Sequence, residues 1–513
     1  MRKNKWLLTG AVLIAGLFVW SAMSRLPAFE QSQNTEPAHQ NKDSVLARAL
    51  APSVSAHPNL SGLYPLGSGY DAFVARASLA AAAQHTLDVQ YYIWHNDISG
   101  KMLFHALKQA ADRGVRVRLL LDDNNTRGMD PTLQTLDRHA NIEVRLFNPF
   151  VNRDFRALGY LTDFPRLNRR MHNKSFTADN QVSVVGGRNV GDEYFEVGDG
   201  TQFVDLDALV AGQVVPEITA DFNRYWYSAS VYPLASIVTK DVPEQALDLS
   251  VQEQETTKAR AYIEALHQSQ LGIELQNGSV AFDWVPIRLI SDDPAKGLGL
   301  DNPETAIGAK IKEVLQEPQR ELLLVSPYFV PTQSGMDAFK ELRAKGVHVS
   351  VLTNSLDATD VSIVHSGYIK YRHALLDAGV QLFELKKTVS GKMGRDRFLT
   401  GSSASSLHAK TFSVDGQRVF IGSFNLDPRS ARLNTEMGIV AEHPKLAQEM
   451  TTQLRAQMPD LAYQVKQDAQ GHLTWQTRTA QGQEITLEHE PETGVLKRAW
   501  VQFLSWLPLE RML

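Results

Sequence analysis

The chain has 513 residues, 43% of them hydrophobic and 21% charged, with a formal net charge of -5 and no cysteine. That length is enough for two to four domains with large cores, and the absent thiol excludes cysteine nucleophiles, cysteine-ligated zinc and disulfides. The acidic balance and the lack of any long Lys/Arg run count against a nucleic-acid partner, which needs a basic footprint.

Taken in chain order, residues 1–26 come first. Arg2, Lys3 and Lys5 precede an apolar run from Trp6 to Met23, closed by Ser24 and Arg25. Eighteen residues is short for a membrane span and long for the core of a signal peptide. The segment therefore reads as an uncleaved anchor or, alternatively, as a signal cleaved near Ala22-x-Ser24. The basic flank would leave the N-terminus in the cytoplasm and the body on the far side. Residues 27–57, rich in Ala, Gln, Ser, Pro and Asn without periodicity, read as a flexible linker.

A first domain is expected over 58–245. An Ala-rich helix (about 69–83) leads into a strand at 87–93, a helix at 100–113 and a buried strand at 114–121. Strand, helix and strand with Gly at the helix end make a βαβ unit and imply parallel pairing. Residues 246–282, rich in Glu, Gln, Thr and Asp, read as an inter-domain segment. A second domain over 283–460 repeats the order: helix 305–316, strand 321–328, helix 335–345, strand 346–352. Gly114 and Gly346 are 232 residues apart, a period that means a duplicated domain and not a solenoid. The tail, 461–513, has strand-like runs at 473–476 and 484–488. Its last stretch carries Trp500, Phe503, Leu504, Trp506 and Leu507 beside Lys497, Arg498 and Arg511. That stretch either docks on the core or lies in a membrane interface.

Each domain carries one copy of a short pattern, His-x-Lys-x4-Asp: His172, Lys174 and Asp179, then His408, Lys410 and Asp415. An Asn follows each Asp by ten residues, Asn189 and Asn425, behind the small pairs Gly186-Gly187 and Gly422-Ser423. His and Lys two apart on a strand share a face, so an imidazole and an ammonium converge on one phosphate. Asp179-Asn180 and Asp415-Gly416 are hairpin-turn chemistry, which favours a supporting role for both acids. One copy would be weak evidence; two at equivalent places in a repeated domain suggest one phosphodiester-handling site built from two halves. Asp122-Asp123 invites a metal reading, but after a buried strand a cap or loop role is preferred. Arg166, Arg169 and Arg170 would meet lipid headgroups or form a solvated basic face.

The doubled motif resembles the signature of the phospholipase D superfamily. Residues 87–94 (LDVQYYIW), 119–125 (LLLDDNN), 169–176 (RRMHNKSF), 186–189 (GGRN) and 421–430 (IGSFNLDPRS) are similar to the C-type branch of bacterial cardiolipin synthases. The likeness runs from about Leu60 to the C-terminus and leaves out the N-terminal segment. It implies an α/β body of two homologous domains related by a pseudo-two-fold axis. It further implies exchange at phosphorus without metal or cofactor, through a covalent phosphohistidine. His172 would be the nucleophile, and His408 the acid and then the base. Lys174, Lys410, Asn189 and Asn425 would hold the phosphate oxygens, while Asp205 and Glu436 would orient the histidine of the opposite half. The expected activity is phosphatidyl transfer to phosphatidylglycerol from phosphatidylethanolamine or phosphatidylglycerol, giving cardiolipin, by an enzyme of the bacterial inner membrane with its body on the periplasmic side. Its partners would be phospholipids and the membrane, with no nucleic acid. The alternatives are a hydrolase or phosphodiesterase using water, and an inactive adaptor.

Overall fold

The computed structural model describes residues 26–28, 43–198, 202–241, 253–300, 302, 304, 306–316, 318–387, 405–479 and 481–510. The expected N-terminal anchor lies outside them. Among the described residues no helix is long and apolar enough to cross a membrane.

The first half is built on β1 (Ser61–Leu66), β2 (Thr86–Tyr91), β3 (Arg116–Asp122), β4 (Ile142–Phe147), β5 (Ser175–Ala178), β6 (Val182–Gly186), β7 (Gln202–Val204), β8 (Asp207–Gly212), β9 (Val231–Pro233) and β10 (Asp283–Val285). The second half uses β11 (Ile287–Ser291), β12 (Glu321–Val325), β13 (His348–Asn354), β14 (Gln381–Leu385), β15 (Ser405–Leu407), β16 (Lys410–Val414), β17 (Arg418–Gly422), β18 (Met437–Glu442), β19 (Ala462–Gln467), β20 (Leu473–Arg478) and β21 (Glu484–Leu487). The sheet orders are β10-β1-β8-β6-β5-β2-β3-β4-β9 and β11-β18-β17-β16-β12-β13-β14-β19-β20-β21. From β1 and β11 onward the two run strand for strand alike as far as β9 and β19, the duplication expected from the 232-residue period. In each sheet the three βαβ strands are parallel (β2, β3, β4; β12, β13, β14) and the hairpin strands are antiparallel, so both sheets are mixed.

The repeated glycines do the same work in each half. Gly114 and Gly346 have φ of +95° and +83° and end the crossover helices Ile98–Asp112 and Thr332–Ala344. Only glycine adopts that left-handed conformation at no steric cost, and the residue after each one bonds back into the last turn. One contiguous apolar cluster takes side chains from both sheets, including Val185, Leu206 and Val210 from the first and Val419, Ile421 and Ile439 from the second. Burying each such side chain contributes roughly 1.5–3 kcal/mol, so the halves are held together by a shared core and not by a tether.

Three expected boundaries shift. Residues 45–56 of the supposed linker form a helix, capped by the Ser44 side chain accepting from Ala47 N; only Ala47 in it is buried, which is why no apolar stripe announced it. The inter-domain segment holds helices Glu253–His267 and Gln270–Gln276, and Tyr262, Leu266 and Leu271 enter the first core. Residues 283–285 join the first sheet and 287–291 the second, which puts the crossing at Pro286. The tail strands extend the second sheet through β19.

Candidate active site

Both motif histidines sit where a hairpin strand begins beside the C-terminal end of a parallel strand, and each is fixed by the other half. His172 N donates to Thr435 O (2.8 Å) and Thr435 N to Arg170 O (2.9 Å). His408 N and Ala409 N both donate to Val204 O, and β15 pairs parallel with β7. The two copies of the motif therefore form one site. Its mouth lies at the carboxyl ends of the parallel strands, where α/β sheets place ligands.

Each imidazole is oriented by a carboxylate from the opposite half, as expected for Asp205 and Glu436. His172 Nδ1 lies 2.8 Å from Glu436 Oε2, and His408 Nδ1 lies 2.5 Å from Asp205 Oδ2. With Nδ1 committed in both rings, Nε2 is the nitrogen left to react. The neighbouring acids are used elsewhere: Asp207 pairs with Arg76 (2.8 Å), Asp192 accepts from Ser99 N, and Glu193 lies 3.1 Å from His95. The orienting acids differ in length, and the small pairs compensate. A Cβ on Gly187 would sit 2.2 Å from Asp205 Oδ1, so glycine there makes room for the carboxylate. At the equivalent position Ser423 donates its hydroxyl to Glu436 Oε2 (2.5 Å), supplying a hydrogen bond where the first half supplies space.

The lysines are buried between the histidines. Lys174 Nζ donates to His172 O (2.7 Å) and Lys410 Nζ to His408 O, with Lys410 Nζ also 2.9 Å from His408 Nδ1. Burial lowers Lys174 to about 7 and Lys410 to about 8. Burial, reinforced by both lysines, holds His172 well below the usual histidine range. His408 is brought down to about 4 by burial and Lys410, against the opposing pull of Asp205. Two buried ammonium groups, close enough for Lys410 to lower Lys174, make a locally cationic centre that suits an anion.

The carboxylates set the halves apart. Burial raises Glu436 to about 7, although Lys174 and Ser423 oppose it. Burial would raise Asp205 as well, yet His408, Lys410 and Arg188 together hold it below the usual carboxylate range. The Asp205–His408 pair thus has a firm anion beside its imidazole and the Glu436–His172 pair does not.

Asp179 and Asp415 stand apart from the histidines. They sit at the far ends of their strands with φ of +51° and +55°, and their carboxylates accept from Gln84, His85 and Thr86 N and from Gln319, Arg320 and Glu321 N. Each clamps the segment entering β2 or β12, the supporting role that turn chemistry favoured. Asn189 is held by the protein on two sides: Oδ1 accepts from Ile93 N (3.2 Å) and Nδ2 donates one proton to Tyr194 Oη (2.9 Å), which leaves its second N–H. It aims Tyr194 at His408, with the rings 5.1 Å apart, while the Asn425 side-chain oxygen is buried with no partner among the described residues. Arg170 does not face headgroups: its guanidinium is buried against Asp122 (2.8 Å), and Arg166 pairs with Asp163. The rings around the histidines carried no signal of their own in the sequence. Tyr92 lies edge-on to His172 at 4.9 Å, and Phe203 packs on His408 at 5.0 Å.

Asp122 and Asp123 are structural, in line with the preferred reading. Asp122 accepts from Arg170, Met171 N and Asn124 N; Asp123 accepts from Phe150 N and Arg153. Asp122→Asn would leave the Arg170 guanidinium buried and uncompensated, so we expect a loss of about 3–5 kcal/mol in chemical denaturation, unrescued by divalent cations.

Two fused α/β halves, each giving one histidine, one lysine and the carboxylate for its neighbour's histidine, define a bipartite phosphoryl-transfer scaffold. The chain belongs to the family described as "Cardiolipin synthase, PLD-like domain", whose model matches residues 77–226 and 311–458, once per half. It is 48% identical over 473 residues to cardiolipin synthase C of Escherichia coli K12, covering 91% of this chain and 99% of that protein. A cardiolipin synthase of Geobacillus thermodenitrificans is 27% identical over 76% of this chain and 64% of its own length. Among solved structures, a phosphatidylserine synthase of Haemophilus influenzae shares the fold with a TM-score of 0.56 at 14% identity, covering 91% of this chain and all of the other.

Proposed function

We propose that this chain is a phosphatidyltransferase that makes cardiolipin, with phosphatidylglycerol as acceptor and phosphatidylethanolamine or phosphatidylglycerol as donor. The observation that carries the reading is the pair of crossed carboxylate–histidine contacts around two buried lysines, in a chain so similar to a named cardiolipin synthase along its length.

In the first step, neutral His172 Nε2 attacks the donor phosphorus. An N–P bond forms, the P–O bond to the headgroup breaks, and His408 gives its Nε2 proton to the departing oxygen. In the second step, His408 takes the proton of the acceptor hydroxyl; that oxygen attacks phosphorus, and the N–P bond breaks to restore His172. Lys174 and Lys410 hold the non-bridging oxygens and stabilise the charge that builds up on them in flight. Glu436 steadies the phosphorylated ring and Asp205 the imidazolium. The N-terminal segment anchors the chain in the bacterial inner membrane with the body on the periplasmic side, where both lipid reactants are concentrated.

The test is purified full-length chain in vesicles of phosphatidylethanolamine and phosphatidylglycerol, with and without EDTA. Cardiolipin is expected as the main product at equal rates in both arms. Phosphatidic acid alone would make the chain a hydrolase, and loss of the reaction with EDTA would refute the metal-free mechanism.

A further inference from the structure

Two helices, one in each half, expose apolar side chains. The first, Arg156–Leu167, follows β4 and packs over the ends of β3 and β4, where Arg170 and Phe150 N meet Asp122 and Asp123. Its segment leads directly into His172. Along it Phe155, Leu158, Leu161 and Phe164 are 39–73% exposed. The second is the tail helix Val495–Trp506. It packs on helix Ser362–Tyr368, which begins two residues after Asp360, a carboxylate whose field reaches Lys410. Leu356, just past the end of β13, lines the same crevice as Val501 and Trp506. Val501 and Leu504 face the body, so the tail docks as one reading of the sequence expected. The opposite stripe does not dock: Leu496, Trp500 and Phe503 are 46–87% exposed, at helical spacing.

Large apolar side chains in rows on a water-facing surface mark an interaction site. Here the two rows stand on opposite halves, and the crevice under the tail helix runs from Leu356, beyond the carboxyl end of β13, to Asp468 and His472, beyond the amino end of β14. Their cations fit an anionic partner. The tail helix carries Lys497 and Arg498 and no acid, and exposed Arg127 stands by the first row, where its charge reaches Arg156. A tryptophan-rich amphipathic helix with basic flanks is built for the boundary between headgroups and acyl chains.

We propose that these two helices form a monotopic docking face, which lays the mouth of the site flat on an anionic phospholipid bilayer by inserting both apolar rows. This rests on the lipid-transfer reading above and adds the surface by which the body meets its substrate. The full chain would then hold the bilayer at three places: the N-terminal segment and one helix from each half.

Because the chain has no cysteine, single substitutions Leu161→Cys and Phe503→Cys can each carry one nitroxide label, with exposed Gln109→Cys at the opposite end of the first sheet as reference. Full-length labelled chain is reconstituted in phosphatidylethanolamine–phosphatidylglycerol vesicles, and collision rates with oxygen and with a water-soluble nickel chelate are compared. Labels at 161 and 503 are expected to gain oxygen contact and lose nickel contact severalfold, with 109 unchanged. A second measurement uses Leu161→Ser with Phe503→Ser. Its KM for vesicle lipid should rise severalfold, while kcat on a monomeric short-chain phosphatidylglycerol stays as in the parent. Both labels remaining in water while lipid transfer proceeds would overturn the docking face and leave the activity standing. Buried labels without lipid transfer would support the face and sink the transferase reading.

Discussion

Replacing His172 with alanine is expected to abolish transfer, with kcat falling by about four orders of magnitude or more, since no other group can form the covalent link to phosphorus. His408→Ala is expected to cost about a hundredfold to ten-thousandfold on natural lipids, the usual worth of a positioned acid and base. The decisive contrast comes with an activated donor whose leaving group needs no proton. His408→Ala should then run the first step and stop, because nothing deprotonates the acceptor, and the phosphatidyl-enzyme should accumulate. His172→Ala should accumulate none. The asymmetry of the carboxylates is the basis: Glu436, raised to about 7, leaves His172 little reason to protonate, whereas Asp205 is a firm anion beside His408. Accumulation in His172→Ala instead would reverse the two roles. Intact mass after acid-free quenching reads the result directly.

Lys174→Met carries the second large expectation, a drop of about a hundredfold to a thousandfold in kcat, the scale of losing one preorganised charge on the reacting oxygens. Lys174→Arg should not rescue it, because Lys174 is 1% exposed and a larger, planar guanidinium does not reproduce the compact charge of the ammonium. The same burial that lowers this lysine to about 7 makes its charge costly to the fold. Thermal melting of Lys174→Met should therefore hold or rise while activity collapses, which separates a site lysine from a structural one. The pH profile follows with a definite sign. Only the ammonium binds the anion, so kcat/KM should fall as pH rises through about 7 to 8, where Lys174 and Lys410 lose their protons in the free enzyme. A bound phosphate favours the charged lysines, so the same limb in kcat should lie at higher pH. A kcat limb at lower pH than that of kcat/KM would contradict this placement of the lysines.

Much of this site is legible in the sequence, for a physical reason. Duplication writes the same geometric demand twice, and His-x-Lys on a strand puts both side chains on one face. The crossing of Asp205 to His408 and of Glu436 to His172 came only from family likeness, because contacts between residues more than 200 apart leave no local pattern. Asp179 and Asp415 show the reverse. Their turn chemistry was plain in Asp-Asn and Asp-Gly, and positive φ with three backbone amides on each carboxylate confirms a clamp. Asn189 has a positioning contact that the repeated amide alone did not announce. Its hydrogen bonds go to Ile93 N and Tyr194, the second of which is set by a loop that no periodicity describes. Helices 253–267 and 270–276 were hidden in a polar stretch, since among their described side chains few, Ala259, Tyr262, Leu266 and Leu271, reach the core.

The central claim is that two half-sites act in turn on one phosphorus, and its stereochemistry tests that most directly. A donor phospholipid made chiral at phosphorus by a single sulfur is offered with phosphatidylglycerol, and the configuration of the cardiolipin product is read. Attack by His172 inverts the centre and attack by the acceptor hydroxyl inverts it again, so net retention is the predicted result. Net inversion would mean direct transfer in one step and would contradict the covalent, two-histidine account.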